Sequence, residues 1–264
     1  MPPLRREDRS ILGREETLRS WLVKGRDPII QTIDGLDIGW GGVQRWATAR
    51  MADLGDGLHL DFACGVGSFL AQLGWRFHRA DLVGLNIDFS GPHEPIRELL
   101  SRARVKCRLV RADARRMPFP DCRFDSVSCF LGLQDIEIGF GEEGVRTALS
   151  ESARILRKGG TLTVVDEFPV DKMDRLLERL PFRTVGRAEQ SLDAKWSRPV
   201  AERAVELYAD DWVDQMRISG SHERAGVRAE VLRRMRLEME RQLAVQGYYV
   251  PFGPARMVEA RKIR

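Results

Sequence analysis

The sequence predicts an α/β fold built on a doubly wound, mostly parallel sheet. Three observations carry that expectation. Five short apolar or β-branched runs alternate with helical patterns between residues 58 and 166, and strands separated by helices pair in parallel through right-handed crossovers. A turn of small residues, Asp61-Phe62-Ala63-Cys64-Gly65-Val66-Gly67, joins the first run to a helix. Two more strand patterns toward the C-terminus bring the sheet to seven strands.

Residues 1–54 read as an N-terminal helical segment and lid. Glu16 to Lys24 sets Leu18, Trp21 and Leu22 at helical spacing, and Val43 to Leu54 does the same with Val43, Trp46, Ala47 and Met51. Residues 55–192 read as the ligand-binding core. Its strands are expected at Leu58–Phe62, Leu82–Ile87, Cys107–Arg111, Ser126–Leu131 and Thr161–Asp166, with another around Phe182–Ser191. Pro92 or Pro95 opens the helix after Ser90, and the helix from Glu142 to Arg157 is expected to stop at Gly159-Gly160. A further helix runs near Asp171–Leu180. Residues 193–264 read as a helical insertion, about 193–247, and a final strand at Arg256–Arg261. An insert of that length covers a binding site or makes an oligomer contact, and a homodimer through it is one expectation.

The 264 residues are 43% hydrophobic and 31% charged, an ordinary globular balance. No apolar run reaches the roughly 18 residues of a membrane span, and Met1 to Ser10 lacks a signal-like apolar stretch, so the expected compartment is cytoplasmic. Cys64, Cys107, Cys122 and Cys129 form no CxxC pair, and His59, His78, His93 and His222 lie near no second ligand at metal spacing. The thiols are read as reduced, and no metal is expected. The net charge is +4, with acidic residues interleaved among the basic ones and only six lysines among 43 cations. This argues weakly for nucleic acid, because arginine content alone does not gather charge on one face.

The first turn has a physical job. A side chain beyond Cβ at 63, 65 or 67 would hold a ligand away from the backbone or block helix-on-sheet packing, while exposed amides at the helix start favour an electron-rich group. Alone, such a turn is also compatible with a purely architectural role. The polar residues at the later strand ends add to it. Asn86, Ile87 and Asp88 close the second strand, where a side-chain acceptor holds ribose hydroxyls. Asp113-Ala114 follows the third, where a carboxylate can accept from an adenine amine while a neighbouring amide donates to a ring nitrogen.

With these segments together, the sequence resembles the class I S-adenosylmethionine-dependent methyltransferases, particularly those acting on small molecules. The resemblance covers about Leu58 to Glu167. It rests on Leu60 to Gly67, on Asp113-Ala114 with Met117-Pro118-Phe119-Pro120-Asp121, on Phe124-Asp125-Ser126-Val127, and on Arg154-Ile155-Leu156-Arg157-Lys158-Gly159-Gly160. It implies a Rossmann-like core with S-adenosyl-L-methionine as cofactor. Asp61 and the amides around Ala63, Gly65 and Gly67 would hold its methionyl end, Asn86, Ile87 and Asp88 its ribose, and Asp113 and Ala114 its adenine. Phe130 and Leu131, at the Cys129–Leu131 strand end, would line the sulfonium. Two positions depart from the family pattern: Ala63 replaces the common first glycine, and Asn86 stands where an acid is usual.

A sulfonium methyl is already activated, so such an enzyme chiefly aligns a nucleophile and excludes water. A general base is needed only for a poorly acidic acceptor. Gln134, Asp135 and Glu167 are the catalytic candidates, with Glu137 and Asp166 beside them. Asp135 could instead cap a helix, Glu137 be solvated, and Asp166 hold a loop amide. Trp40, before Gly41-Gly42, is read as a cofactor lid or as a buried anchor between helices. Trp196, Tyr208, Trp212, Tyr248, Tyr249 and Phe252 are read as lining an apolar acceptor pocket or as core. The expected partner is a small, apolar or amphipathic methyl acceptor. The alternatives are an RNA or tRNA methyltransferase and a non-catalytic cofactor-binding regulator.

Overall fold

In the computed structural model the described residues are 42–88, 96–190, 196–215, 220–250 and 254–263. Seven strands form one sheet: β1 (Leu58–Phe62), β2 (Asp81–Asn86), β3 (Cys107–Arg111), β4 (Phe124–Phe130), β5 (Leu156–Asp166), β6 (Phe182–Gln190) and β7 (Ala255–Lys262). Their order is β3-β2-β1-β4-β5-β7-β6. Every pairing from β3 to β5 is parallel, whereas β7 runs antiparallel to both β5 and β6. The order reverses between β1 and β4, and there a doubly wound sheet opens a crevice at its strands' carboxyl ends.

The helices are α1 (Val43–Arg50), α2 (Ser68–Arg76), α3 (Ile96–Arg102), α4 (Leu133–Ile155), α5 (Val170–Glu178), α6 (Arg198–Gln215) and α7 (Ser221–Gln246). Two apolar clusters cover the two faces of the sheet. Leu60, Phe62, Val127 and Cys129 pack with Leu149 of α4 and Leu176 of α5. On the other face, Leu82 and Val165 join Ala47 of α1, Leu70 of α2 and Leu99 of α3. A strand buried on both faces must be apolar in both registers; β1 departs from this at His59 and Asp61, both fully buried.

Helices α6 and α7 share a third cluster around Trp196, Val205, Leu232, Met239 and Tyr249. The two chain crossings at its base are tied by Trp196 N–H donating to Tyr249 O at 2.8 Å and Tyr249 N–H donating to Trp196 O at 2.9 Å. Trp196 and Tyr249, 1% and 4% exposed, belong to that core. No helix of the described residues is long and apolar enough to cross a membrane. No group of metal-ligating side chains was found among them.

One boundary is corrected. The helix expected to stop at Gly159-Gly160 ends at Ile155, and Leu156 is already extended, at φ −70° and ψ 137°. Pairing of Phe124 with Leu156 draws Leu156 to Gly160 into β5. Pairing with β4 outcompetes the helical pattern there. At its other end α4 is two helical stretches meeting at a kink at Gly141, which is non-helical at φ 66° and ψ −177°, so the helix expected from Glu142 begins there and a preceding stretch from Leu133 joins it. The expected helix at 16–24, Trp40 and Phe252 lie outside the described residues, as do Ser90, Pro92 and Pro95 and the side chains of Tyr208 and Trp212.

Candidate cofactor and acceptor site

The turn after β1 is held in left-handed backbone. Ala63, Gly65 and Gly67 have φ of 54°, 51° and 82°; glycine adopts this region freely, whereas alanine is strained by roughly 1–2 kcal/mol. Cys64 N–H donates to Leu85 O at 3.1 Å and Gly67 N–H to Cys64 O at 2.9 Å, pinning the turn to β2 and to itself. A Cβ on Gly67 would lie 2.6 Å from Ile96 Cγ1, so helix packing demands glycine there. At Gly65 the situation is the reverse. Nothing lies within 4 Å of the position its Cβ would occupy, which leaves the backbone open to close approach by a ligand.

Asp61 sits at the floor of this turn, 0% exposed. Its Oδ1 accepts from Ser128 Oγ at 2.6 Å, while Oδ2 is buried without a hydrogen-bond partner. Burial pushes its carboxyl up to about 7, against the smaller lowering effect of the Ser128 hydroxyl. A buried carboxylate oxygen left unpaired costs at least ~1–3 kcal/mol. A cationic donor entering the turn would remove that cost.

The neighbouring strand ends supply further groups. Asn86, 7% exposed, donates from Nδ2 to Asp88 O at 2.7 Å, so its side-chain oxygen is the group able to accept a hydroxyl. Asp88 is buried, with Arg111 3.8 Å from its Oδ1, and Ile87 is exposed at the same strand end. Asp113 accepts from its own loop and from Arg115, whose Nη2 lies 2.6 Å from Oδ2. The Arg115 hydrogen bond holds the Asp113 carboxyl below the usual range. The Arg115 guanidinium also stacks 3.4 Å from the centroid of the Phe140 ring. Ala114 is buried. At the β4 end, Phe130 stacks on Phe69 at 4.6 Å, and Leu131 is strained at φ 50°. Next to it, a Cβ on Gly132 would meet Ala63 Cβ at 2.5 Å. Ala63 and Leu131 thus put two left-handed non-glycine residues on opposite lips of the crevice, and such strain clusters at functional sites.

Beyond β4 and β5 the structure sorts the acidic candidates. Asp166 holds loop amides: its Oδ2 accepts from Leu133 N at 3.0 Å and its Oδ1 from Glu167 N at 2.8 Å. Burial nevertheless raises it to about 6. Glu137 is taken by Lys172 at 2.5 Å. Asp135 lies in the first turn of α4, open to solvent yet hemmed in by protein, as on a cleft wall. Burial, then the Asp166 carboxylate, push it up to about 6. Gln134, next to it in the chain, and Glu167, after β5, are half-buried. A cavity of about 260 Å³ opens next to Asp166, with apolar walls from Val164, Phe168, Met173 and Met257, and with Arg187 and Arg256 as polar lining.

Several site features escaped the sequence reading: His59, Ser126 and Ser128 behind Asp61, the Arg115–Phe140 stack, and Gly132. The alternation Leu58-His59-Leu60-Asp61 opposite Ser126-Val127-Ser128 is the signal that could have revealed the first group, because period-two polar positions on adjacent strands face one another.

These groups line a crevice at the topological switch of a doubly wound sheet, with an acid on the first strand and polar acceptors at the next two strand ends. Residues 60–164 match the family model of a methyltransferase domain. The chain is 32% identical over 142 residues to a demethylmenaquinone methyltransferase of Deinococcus radiodurans, covering 51% of this chain and 52% of that protein. It is 28% identical over 183 residues to a fatty-acid O-methyltransferase of Mycolicibacterium smegmatis, covering 64% and 62%. The chain spans about half the length of the curated relatives it matches. Among solved structures, a putative methyltransferase from Bacillus halodurans superposes with a TM-score of 0.59 at 17% identity, covering 85% of this chain and all of that one. That likeness is one of fold.

Proposed function

We propose that this chain binds S-adenosyl-L-methionine across the β1, β2 and β4 ends and transfers its methyl group to a small apolar or amphipathic acceptor. The observation that carries the reading is the buried, unpartnered Asp61 Oδ2 beneath a glycine turn whose Gly65 faces open space. An ammonium group is the donor that fits an unpaired carboxylate there, and the cofactor carries one beside its carboxylate.

When bound, the cofactor supplies an activated methyl on sulfur. The chain's own residues do the rest. Asp61 accepts from the ammonium, and amides at the start of α2 face the carboxylate. Asn86 and Asp88 take the ribose hydroxyls. Asp113 accepts from the adenine amine once Arg115 shares or releases it, and the Ala114 amide discriminates the ring nitrogen. Phe130 and Leu131 wall off the sulfur from water. Asp135 is placed to take a proton from an acceptor hydroxyl, its pKa of about 6 leaving it ionised at neutral pH while still basic enough to serve. Gln134 and Glu167 flank the same approach. The cavity beside Asp166 suits an acceptor's apolar body. The relatives' names, a demethylmenaquinone and a fatty acid among their substrates, support an acceptor of that kind.

RNA is the less favoured acceptor, because many described arginines are committed to acids; Arg154, Arg187, Arg198, Arg228 and Arg256 all are. The test offers methyl-labelled cofactor with quinols, fatty acids, hydroxylated lipids and total tRNA. Label appearing in an apolar small molecule supports the reading; label in tRNA alone, or in none of them despite bound cofactor, contradicts it.

A further inference from the structure

The seam between β1 and β4 hides four polar side chains in one row. His59 pairs in register with Ser126 and Asp61 with Ser128. His59, Asp61 and Ser128 are all 0% exposed. His59 Nδ1 lies 2.7 Å from Ser126 Oγ and its Nε2 lies 2.9 Å from Ser128 Oγ. Ser128 Oγ in turn lies 2.6 Å from Asp61 Oδ1.

The chemistry of the donors gives this row a direction. Ser128 has one hydroxyl hydrogen, and an ionised Asp61 can only accept, so that hydrogen goes to Asp61. Ser128 Oγ must then accept from His59, which puts the ring proton on Nε2. The bare Nδ1 accepts from the Ser126 hydroxyl. Every bond points toward Asp61, and the row ends at Oδ2, its one buried atom without a partner. A β-branched residue at 59 would fit the strand at no polar cost. A buried polar row is justified physically only when every member is satisfied, and here a ligand must satisfy the last one.

We propose that Ser126, His59 and Ser128 are positioning residues which hold Asp61 as a charged acceptor with Oδ2 presented to the ammonium of the cofactor, so that they set cofactor affinity. This rests on the reading given above under Proposed function. Other groups near Asp61 do not replace the relay. Among the described residues, the titratable groups facing it are His59 from β1, Cys64 from the turn, Cys107 from β3 and Cys129 from β4. Burial drives His59 down to about 3 and pushes the three thiols up, so all four are neutral near pH 7. None supplies a counter-charge, which leaves that part to the ligand.

Two measurements test it. In the wild-type protein at about pH 8 to 9, where Asp61 is ionised, nitrogen NMR of His59 should show the neutral Nε2–H tautomer; an Nδ1–H tautomer or a cationic ring there overturns the relay even if every variant misfolds. Second, S-adenosylhomocysteine binding is titrated against pH. His59→Leu and Ser128→Ala should weaken binding roughly tenfold at neutral pH, and both should raise the pH at which affinity is half-lost. His59→Gln, whose amide can still donate to Ser128, should stay near wild type. If folded His59→Leu binds as wild type does with an unmoved midpoint, the relay fails while the cofactor reading stands. If the wild type binds none of the nucleoside at any pH, the cofactor reading fails and takes the proposed ligand with it.

Discussion

At the scale of single residues, the chemistry gathers at Asp61, a carboxyl without solvent and with one oxygen unpartnered. Its pKa of about 7 stands above the ordinary 3.8 because burial penalises the charged form. Between about pH 4 and 7 the folded chain therefore keeps a proton that the unfolded chain has released, so this group makes the ligand-free protein less stable as pH rises across that window and has no further effect above it. Cofactor binding runs in the opposite direction, because only the carboxylate accepts from an ammonium. S-adenosylhomocysteine affinity should fall by roughly tenfold for each pH unit below 7. Calorimetry at several pH values checks this, and a flat profile would show that Asp61 is not the acceptor. Asp61 was singled out in the sequence as an acid on an apolar strand before a small-residue turn, but its full burial and unpaired oxygen were not legible there. His59 was not legible either, because a lone histidine in a strand signals nothing until its register with Ser126 and Ser128 is known. Arg115 was hidden for a similar reason: its contact with Phe140 joins residues 25 positions apart across a helix start.

Among the elements, the loop of residues 117–121 is held in place by one arginine on α4. Arg154 donates to Phe119 O at 2.8 Å, Met117 O at 3.0 Å and Asp121 Oδ1 at 2.7 Å, and it pairs with Glu151. Glu151 completes the clamp by accepting from Met117 N at 2.7 Å. Arg154→Ala leaves two loop carbonyls unpaired and takes the cation from Glu151, which should cost about 2–4 kcal/mol and lower the melting temperature by roughly 5–10 °C. Cofactor affinity should weaken as well, because the clamped loop follows directly on Asp113 and Ala114. A thermal melt beside a binding titration reads both; an unchanged melt would mean that the loop does not depend on the clamp. The sequence singled out the proline-rich segment and the segment starting at Arg154 separately, and their contact was not legible because it joins residues more than 30 positions apart. It showed the strands well, because alternation of apolar runs reports burial directly, and β1 and β3 fall at the expected residues. Helix ends were less legible. The start of α4 and the β5 extension both depend on tertiary partners, Asp166 and Phe124, which a local pattern does not contain.

At the scale of the whole molecule, the sheet and the α6–α7 pair have separate apolar cores. The paired backbone of Trp196 and Tyr249 closes the base of the helical pair, so replacing residues 197–248 with a short glycine linker should leave the sheet folded and nucleoside binding intact while impairing methylation of an apolar acceptor. Loss of nucleoside binding in a folded variant would instead make the pair part of the cofactor site. The doubly wound architecture was readable because strand and helix periods alternate; the final strand was readable too, but its antiparallel direction was not, since that is set by its pairing with β5 and β6. The cavity beside Asp166 was not readable, since its lining is drawn from β5, β6, β7 and α5 and comes together only in three dimensions. The central claim, that the first turn is a cofactor site closed by Asp61, is met most directly by calorimetric titration of S-adenosylhomocysteine into the wild type and Asp61→Asn. Saturable binding by the wild type well below the millimolar range, weakened about 10- to 100-fold in the variant, is the predicted result. No binding by the wild type at about millimolar nucleoside, or equal binding by both proteins, would contradict it.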